Sequence, residues 1–261
     1  VPPERPHAIF ALESVAIEST FILGPLILVG VVAGITSPSV GLLACAVLLV
    51  GGTGAFAALP GSRRWRPSGA ARTLAGALAS PALLILLGAV AFMGASFGAI
   101  EISTAAPAEE HGHAALVGPL LAAWAAGSAI GGLVVARSGA PADPARRLMA
   151  MLAATAAASA LVALAPLPAF LALALVAAGA CISPAFATLY AMVADVAREG
   201  TLTESYTWLM TGIAGGVALG SATAGALIDT WSTHASLAMA AALVAGGSIV
   251  VAAGATHLRA G

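Results

Sequence analysis

The sequence predicts an all-α membrane protein with eight transmembrane helices, and three observations support this prediction. Hydrophobic residues make up 60% of the chain and charged residues only 8%, whereas soluble domains carry about 25% charged residues. The hydrophobic residues fall in runs of about 20, the length that crosses the hydrocarbon core of a bilayer. The arginines lie between these runs or at their edges, which is typical of the cytoplasmic loops of membrane proteins.

Short polar breaks bound the eight predicted spans. Because backbone polar groups in lipid must pair with one another, long apolar runs become helices there, and strands are not expected. Ser80 followed by Pro81 is a typical helix start, and Thr201 with Glu204 has the spacing of a capping box. The predicted spans cover residues 8–35, 40–59, 81–106, 115–136, 147–165, 168–194, 204–228 and 234–256.

The positions of the ten basic residues, all of them arginines, predict the side on which each loop lies. With a cytoplasmic N terminus, the cytoplasmic segments are 1–7, 60–80, 137–146, 195–203 and the C-terminal tail. Nine arginines fall in these segments and Arg147 borders one of them. The positive-inside rule therefore predicts that both termini are cytoplasmic. The alanine-rich, lysine-free composition indicates a GC-rich bacterial genome, and hence the bacterial plasma membrane.

The chain divides into three parts by its polar breaks. Residues 60–80 form the longest break and hold four of the ten arginines, so we interpret them as a basic cytoplasmic linker between two helix bundles. Residues 1–59 contain two predicted spans and residues 81–261 contain six. Gly/Ala-rich stretches at 127–132 and 220–225 lie in the middle helices of two three-helix sets with opposite directions, as an inverted repeat would leave them. The alternative is chance similarity between Gly/Ala-rich helices.

Two short motifs accompany this layout. Residues 132–139 read GLVVARSG, which is similar to the cytoplasmic-loop pattern G-x-x-x-D-R-x-G of a transporter family, with Ala136 in place of the acid. In the first predicted span, residues 21–25 read FILGP, similar to the Gly-Pro core of the fifth-helix motif in that family's antiporters. Thr20 stands where that motif has its first glycine.

Together with the order of two helices, a basic linker and six helices, these motifs resemble the major facilitator superfamily over the whole chain. The resemblance implies helices five to twelve of that fold with the first four helices absent, so the missing N-terminal helices are expected partners. It also implies a six-helix C-terminal bundle of two inverted three-helix repeats. Residues 190–208 resemble the family's junction between helices ten and eleven. The motifs imply gating roles for Gly132, Arg137 and Gly139, and they favour proton-coupled antiport.

Three acidic residues within the spans are candidates for proton coupling or substrate binding. Glu18 lies about ten residues into the first span and hence near the bilayer centre, where an ionised carboxylate needs a partner or a polar cavity. Its structural alternative is a protonated acid hydrogen-bonded to a neighbouring helix. Glu13 lies closer to the cytoplasmic interface and Glu101 near the outer end of the third span. For both, the alternative is a solvated side chain.

Prolines and glycines within the spans predict bends and close packing. Gly24-Pro25 and Pro184 predict kinks, which either permit rocking between conformations or only improve packing. Gly212, Gly216 and Gly220 recur at every fourth residue and predict a face on which another helix approaches closely.

Five large aromatic residues lie within the spans and are candidates for the walls of a substrate pocket. Phe97, Trp124 and Tyr190 are the members we select, and the alternative for each is packing against lipid or the core. The five residues are Phe92, Phe97, Trp124, Phe186 and Tyr190.

Other classes of function find little support in the sequence. Residues 109–113 read EEHGH, but we interpret this outer loop as solvated and predict no metal site. The net charge of -1 provides no basic patch for nucleic acid. No nucleophile motif or phosphate-binding loop lies where an active site would form, so we predict no enzyme activity and no cofactor.

We therefore predict a secondary transporter that moves a small-molecule substrate across the lipid bilayer by alternating access, coupled to protons. Efflux of a drug or metabolite is the variant that the fifth-helix motif favours. The alternative is a non-transporting scaffold or sensory subunit in which the eight helices form a complete protein.

Overall fold

A computed structural model of the chain describes residues 20, 24, 27, 37–64, 76–110, 114–137, 141–165 and 168–259. Within these residues the regular secondary structure is entirely helical, with two additional 3₁₀ turns at Ala77–Ala79 and Ala114–Leu116. The first predicted span, 8–35, lies almost wholly outside the described residues. The described helices are α1 (Pro38–Ala58), α2 (Pro60–Arg64), α3 (Pro81–Glu110), α4 (Val117–Ala136), α5 (Pro144–Ala163), α6 (Pro168–Gly179), α7 (Ile182–Val196), α8 (Leu202–Thr230), α9 (Thr233–Ala253) and α10 (Ala255–Arg259).

Seven helical segments are long and apolar enough to cross a bilayer, with α6 and α7 together forming one of them. These segments correspond to the second to eighth predicted spans. Their mean hydropathies lie between 1.3 and 2.3, because the polar breaks fall almost entirely between the helices. The described part of the chain is thus all-helical, in agreement with a multi-pass all-α membrane protein.

Three helix ends differ in how well the sequence predicted them. Ser80 caps α3, since its hydroxyl accepts a hydrogen bond from the Leu83 N–H at 3.3 Å. The expected capping box at the start of α8 is wrong: the Thr201 hydroxyl instead donates to the Arg198 carbonyl at 2.9 Å and caps no helical N–H. Its ψ of 7° is not the extended conformation that an N-cap needs. Helix α3 also continues one turn beyond the predicted end, to Glu110.

Six spans, from α3 to α9, pack into one bundle. Helix α3 packs against α8 and α9, the α6 segment packs against α4 and α5, and α5 packs against α9. The residue pairs give the directions of the helices. Helices α3 and α8 run parallel, because Ala91 and Ala95 lie beside Gly216 and Gly220 respectively. Helices α5 and α9 run antiparallel, because their contacts pair early residues of one with late residues of the other.

The bundle has two buried clusters, one in each half of its length. The first includes Leu83, Leu148 and Val193, and the second includes Ile100 and Leu175. Phe97 packs against both clusters and therefore lies where they meet. Hydroxyl bonds also join the helices: the Ser103 hydroxyl of α3 donates to that of Ser236 on α9 at 2.7 Å.

The described arginines of the bundle lie at one end of it. The start of α3 lies beside the end of α7, because the Ser80 hydroxyl donates to the Val196 carbonyl at 3.4 Å. The starts of α5 and α8 and the end of α9 are at the same end, as the directions above require. Arginines lie at the end of α4, at the start of α5, between α7 and α8, and at the end of α10, which follows α9. They are Arg137, Arg146, Arg147, Arg198 and Arg259.

Helix α1 differs from the bundle helices in its exposure. Only 6% of its most apolar 18-residue stretch is buried. Among the described residues, α1 packs mainly against α2. Leu42, Leu49 and Val50 each expose at least 70% of their surface. A helix so apolar and so exposed needs lipid or another protein segment around it.

Candidate functional site

Five aromatic rings form a continuous row across four helices of the bundle. We call Phe97, Trp124, Phe186, Tyr190 and Tyr206 the aromatic row. The Phe97 and Trp124 rings meet edge to face with centroids 5.2 Å apart, and Phe97 lies 6.2 Å from Phe186. Phe186 stacks on Tyr190 at 5.8 Å, and Tyr190 lies 5.8 Å from Tyr206. These separations and tilts are those at which aromatic rings attract one another.

The helix periodicity explains how the row is built. Phe186 and Tyr190 are four residues apart on α7 and therefore share a face. Tyr206 comes from the start of α8, and its hydroxyl donates to the Tyr190 carbonyl at 3.0 Å, which fixes its ring beside that of Tyr190. Phe97 and Trp124 come from α3 and α4, so the row joins four different helices.

Trp124 carries an unusual polar atom within this row. The residue is 8% exposed, and its indole Nε1 has no hydrogen-bond partner among the described residues. A buried donor left unpaired costs about 1–3 kcal/mol. The other four residues of the row are partly buried, so they are less enclosed than Trp124.

Glu101 lies one helical turn from Phe97 on α3, and residues spaced in this way share a face. Its side chain is exposed. Glu101 is nine residues from the end of α3 at Glu110. Every other charged residue of the described long helices lies within one turn of a helix end. Glu101 lies within the apolar span Pro81–Ala106, and a carboxylate inside such a span is a functional candidate by default.

The α6–α7 segment is broken next to the row. The break falls at Ala180 and Cys181, because Pro184 has no N–H to donate to the Ala180 carbonyl. The flanking hydrogen bonds persist: the Ala180 N–H donates to Val176 at 3.0 Å, and the Ala185 N–H donates to Cys181 at 3.0 Å. Pro184 therefore produces a local bend and not a separation of the two helices.

Helix α4 packs directly on this break. β-Carbons built at Gly127 and Gly131 would overlap the carbonyls of Val176 and Ala180, so only glycine permits the observed approach. At the same crossing, the Ser128 hydroxyl donates to the Ser183 hydroxyl at 3.1 Å.

The glycines of α8 lie on α3 in a comparable way. β-Carbons at Gly216 and Gly220 would overlap the carbonyls of Ala91 and Ala95, and one at Gly212 would lie 3.2 Å from Val90. Helix α3 contributes glycines in return, since a β-carbon at Gly94 would lie 2.5 Å from the Ile213 carbonyl. The three glycines selected from the sequence thus lie at the α3–α8 crossing.

The remaining motif residues are distributed along the chain. A β-carbon at Gly132 would lie 3.1 Å from the Ser183 β-carbon, which places Gly132 beside the break in α6–α7. Arg137 is exposed at the end of α4. Gly24 has nothing within 4 Å of a β-carbon position among the described residues.

Four predicted site residues lie outside the described part of the chain. They are Glu13, Glu18, Pro25 and Gly139.

The aromatic candidates lie in two different environments. Phe97, Trp124 and Tyr190 come together in the row, and Phe186 joins them. Phe92 does not join the row, because its ring lies against Gly246 of α9, where a β-carbon would be 3.2 Å from it. Phe92 and Phe97 are five residues apart and therefore point in different directions from α3.

Sequence reasoning missed two features of this region. Tyr206 was absent from the candidates, although it follows the α7–α8 loop that Tyr190 precedes, and that arrangement brings the two rings together. The Ser128–Ser183 bond was also missed, since single serines in Gly/Ala-rich helices give no signal of their partner.

A second concave region lies at the arginine-bearing end of the bundle. A cavity of about 520 Å³ is lined in part by Asp143, Asp195, Met192 and Leu258. Asp143 caps α5, accepting a hydrogen bond from the Arg146 N–H at 2.9 Å. Among the described residues, no three His, Cys, Asp or Glu side chains are grouped as metal ligands would be.

No protein-family model matches the chain, and no curated protein sequence is significantly similar to it. We therefore infer function from the helix packing and from the aromatic row.

Proposed function

We propose that the protein is a secondary active transporter of the major facilitator type, which moves a small molecule by alternating access. The observation that carries this proposal is an exchange relationship between the helices of the bundle. If α3, α4 and α5 are matched with α6–α7, α8 and α9, each helix contact in one set should have a counterpart in the other. The counterpart of the α3–α8 contact is the contact of α6 with α4, and the counterpart of the α3–α9 contact is that of α6 with α5. The α5–α9 contact is its own counterpart. All of these contacts are present.

The corresponding helices run in opposite directions, which is what an inverted-topology repeat produces. Helix α3 runs away from the arginine-bearing end, whereas α7 ends there beside Ser80. Inverted repeats of this kind are typical of secondary transporters, because they generate two similar conformations open to opposite sides.

The glycine contacts match under the same correspondence of helices, and they change the residue alignment of the two repeats that was expected from the sequence. Gly127 and Gly131 of α4 lie on α6, as Gly216 and Gly220 of α8 lie on α3. We therefore align 127–131 with 216–220, in place of the 220–225 stretch that the sequence indicated. Gly225 supports this change, since nothing described lies within 4 Å of its β-carbon position.

The aromatic row is the proposed part of the substrate path in this bundle. Its rings come from α3, α4, α7 and α8, whereas α5 and α9 contribute none of them. The bend at Ala180 lies between the row and the far half of the α6–α7 segment. Movement about this bend would shift Phe186 and Tyr190 relative to Phe97, which gives the site a means of changing its access.

Proton coupling is assigned to intramembrane carboxylates. Glu101 is the candidate within the described residues, and Glu18 is the candidate in the first predicted span. Because an ionised carboxylate is costly in an apolar span, such a group takes up a proton when it is closed off from water and releases the proton when water reaches it. The arginine-bearing end is assigned to the cytoplasm by the positive-inside rule, and the bacterial plasma membrane is the proposed location.

Transport by the protein, including any native N-terminal helices, provides the test. We expect uptake or release of an aromatic substrate by proteoliposomes to follow an imposed proton gradient and to collapse when an ionophore dissipates that gradient. Glu18→Gln or Glu101→Gln should weaken gradient-driven transport, because glutamine is isosteric but does not titrate. Glu204→Gln is the matched control, since Glu204 lies at the start of α8.

Two results would contradict the proposal. Transport that is equally fast without a gradient, and unchanged in both glutamine variants, would remove proton coupling. A protein that inserts correctly but moves none of a broad panel of small molecules would instead favour a membrane scaffold or sensory subunit.

A further inference from the structure

The aromatic row combines three properties that together define a class of ligand. It offers ring faces, an unpaired hydrogen-bond donor and a nearby negative charge. Phe97, Phe186, Tyr190 and Tyr206 are each partly buried, so none of these residues is fully enclosed by the described chain. A flat aromatic molecule placed against such rings gains stacking energy at each contact.

The donor is the indole N–H of Trp124. It is buried beside Phe97, whose centroid is 5.2 Å away, and no acceptor meets it among the described residues. A ligand atom that accepts this hydrogen bond would remove a penalty that the protein otherwise bears.

The charge is the carboxylate of Glu101, one turn from Phe97 on the same face of α3. The described arginines of the bundle lie at its opposite end, more than two turns from Phe97 along the helices. None of these described arginines therefore lies close enough to neutralise the Glu101 carboxylate. A carboxylate together with aromatic faces favours a cation.

We propose that the aromatic row binds a planar aromatic cation that carries a hydrogen-bond acceptor. Phe97 and the α7 rings hold its plane, Trp124 donates to its acceptor, and Glu101 balances its charge. This inference deepens the proposed transport function, because it names the substrate class of the same site.

Three planar aromatic compounds separate the contribution of the positive charge from that of the hydrogen-bond acceptor. Methylene blue is a planar cation with an accepting ring nitrogen, thiopyronin is the same cation with a C–H in that position, and phenazine is planar and neutral. We expect the full chain in detergent micelles to bind methylene blue saturably, more tightly than either of the other two. Fluorescence or absorbance titration without any gradient measures this binding.

Variants with matched controls test which side chain binds each part of the ligand. Phe97→Leu should weaken binding of methylene blue roughly fivefold to tenfold through loss of a ring face, whereas Phe92→Leu on the same helix should not. Trp124→Phe should abolish the preference for methylene blue over thiopyronin, while Trp231→Phe should preserve it. Glu101→Gln should reduce the preference for methylene blue over phenazine, and Glu204→Gln should leave it unchanged.

Folding and function are kept apart in this test. Phe97→Tyr retains a ring face and should retain binding, so a loss in Phe97→Leu alone is attributable to the ring. Non-saturable binding, equal affinity for the three compounds, or equal effects of Phe97→Leu and Phe92→Leu would overturn the inference. Proton-driven transport of other molecules without dye binding would overturn the inference alone, and dye binding without any transport would overturn the transport proposal alone.

Discussion

The carbonyl oxygen of Ala180 lies against Gly131, so closely that a β-carbon at residue 131 would overlap it. Pro184 deprives this carbonyl of its helical donor, and the glycine Cα–H takes the position beside it. Contacts of this type contribute about 0.5–1 kcal/mol each. The bend in α6–α7 and the glycine of α4 are therefore two parts of one structural feature.

Substituting alanine for Gly131 should destabilise the protein. The added methyl group must displace the Ala180 carbonyl or separate α4 from α6, at a cost of about 1–3 kcal/mol. Gly225→Ala is the control, because nothing described lies near its β-carbon position, and alanine there improves helix propensity by about 1 kcal/mol. Thermal unfolding in detergent should give opposite shifts for the two variants, and equal shifts would contradict the packing described here.

The α3–α8 crossing should be destabilised by an added methyl group in the same way as the α4–α6 crossing. Gly220→Ala places a methyl group against the Ala95 carbonyl and should cost about 1–3 kcal/mol. Gly215→Ala on the same helix has open space and should be neutral or stabilising. Chemical denaturation of both variants measures the difference. If Gly215→Ala proves the more damaging of the two, the face of α8 that meets α3 has been assigned incorrectly.

The Ser128–Ser183 hydrogen bond should couple α4 to α7. We expect a double-mutant cycle with Ser128→Ala and Ser183→Ala to give a coupling free energy of about 0.6 kcal/mol, the average for hydrogen bonds between membrane helices. Each free energy of unfolding is measured in the same detergent. Ser128→Ala combined with Ser248→Ala, whose hydroxyl bonds to Met149 elsewhere, is the control and should show no coupling.

The two ends of the bundle should lie on opposite sides of the membrane. With Cys45 and Cys181 replaced by serine, single cysteines at Glu199 and Trp231 report on one end each, since both positions are exposed. An impermeant thiol reagent added to intact cells should label Trp231→Cys, and it should label Glu199→Cys only after the membrane is opened. Labelling of both positions in intact cells would refute the assigned topology.

The sequence by itself determined the number and position of the described spans, because bilayer thickness and the absence of water in lipid act on each segment separately. It also located the proline bend, since a missing N–H has the same effect in any helix. The start of α8 was less predictable. Capping depends on the conformation of one residue, and the Thr201 hydroxyl donates to the Arg198 carbonyl instead of accepting from a helical N–H.

Only the tertiary structure decided which of these helices meet and through which residues. Phe92 and Phe97 are equivalent as sequence letters, yet one lies against Gly246 and the other joins Trp124. Helices α3, α4, α6 and α9 are almost evenly apolar around their circumference, so the hydrophobic pattern does not identify an inner face on these four. The shape of the helix surfaces determines which faces pack together, because glycines permit close approach at only a few positions. Those close approaches set the register of the helices and therefore which aromatic rings are neighbours.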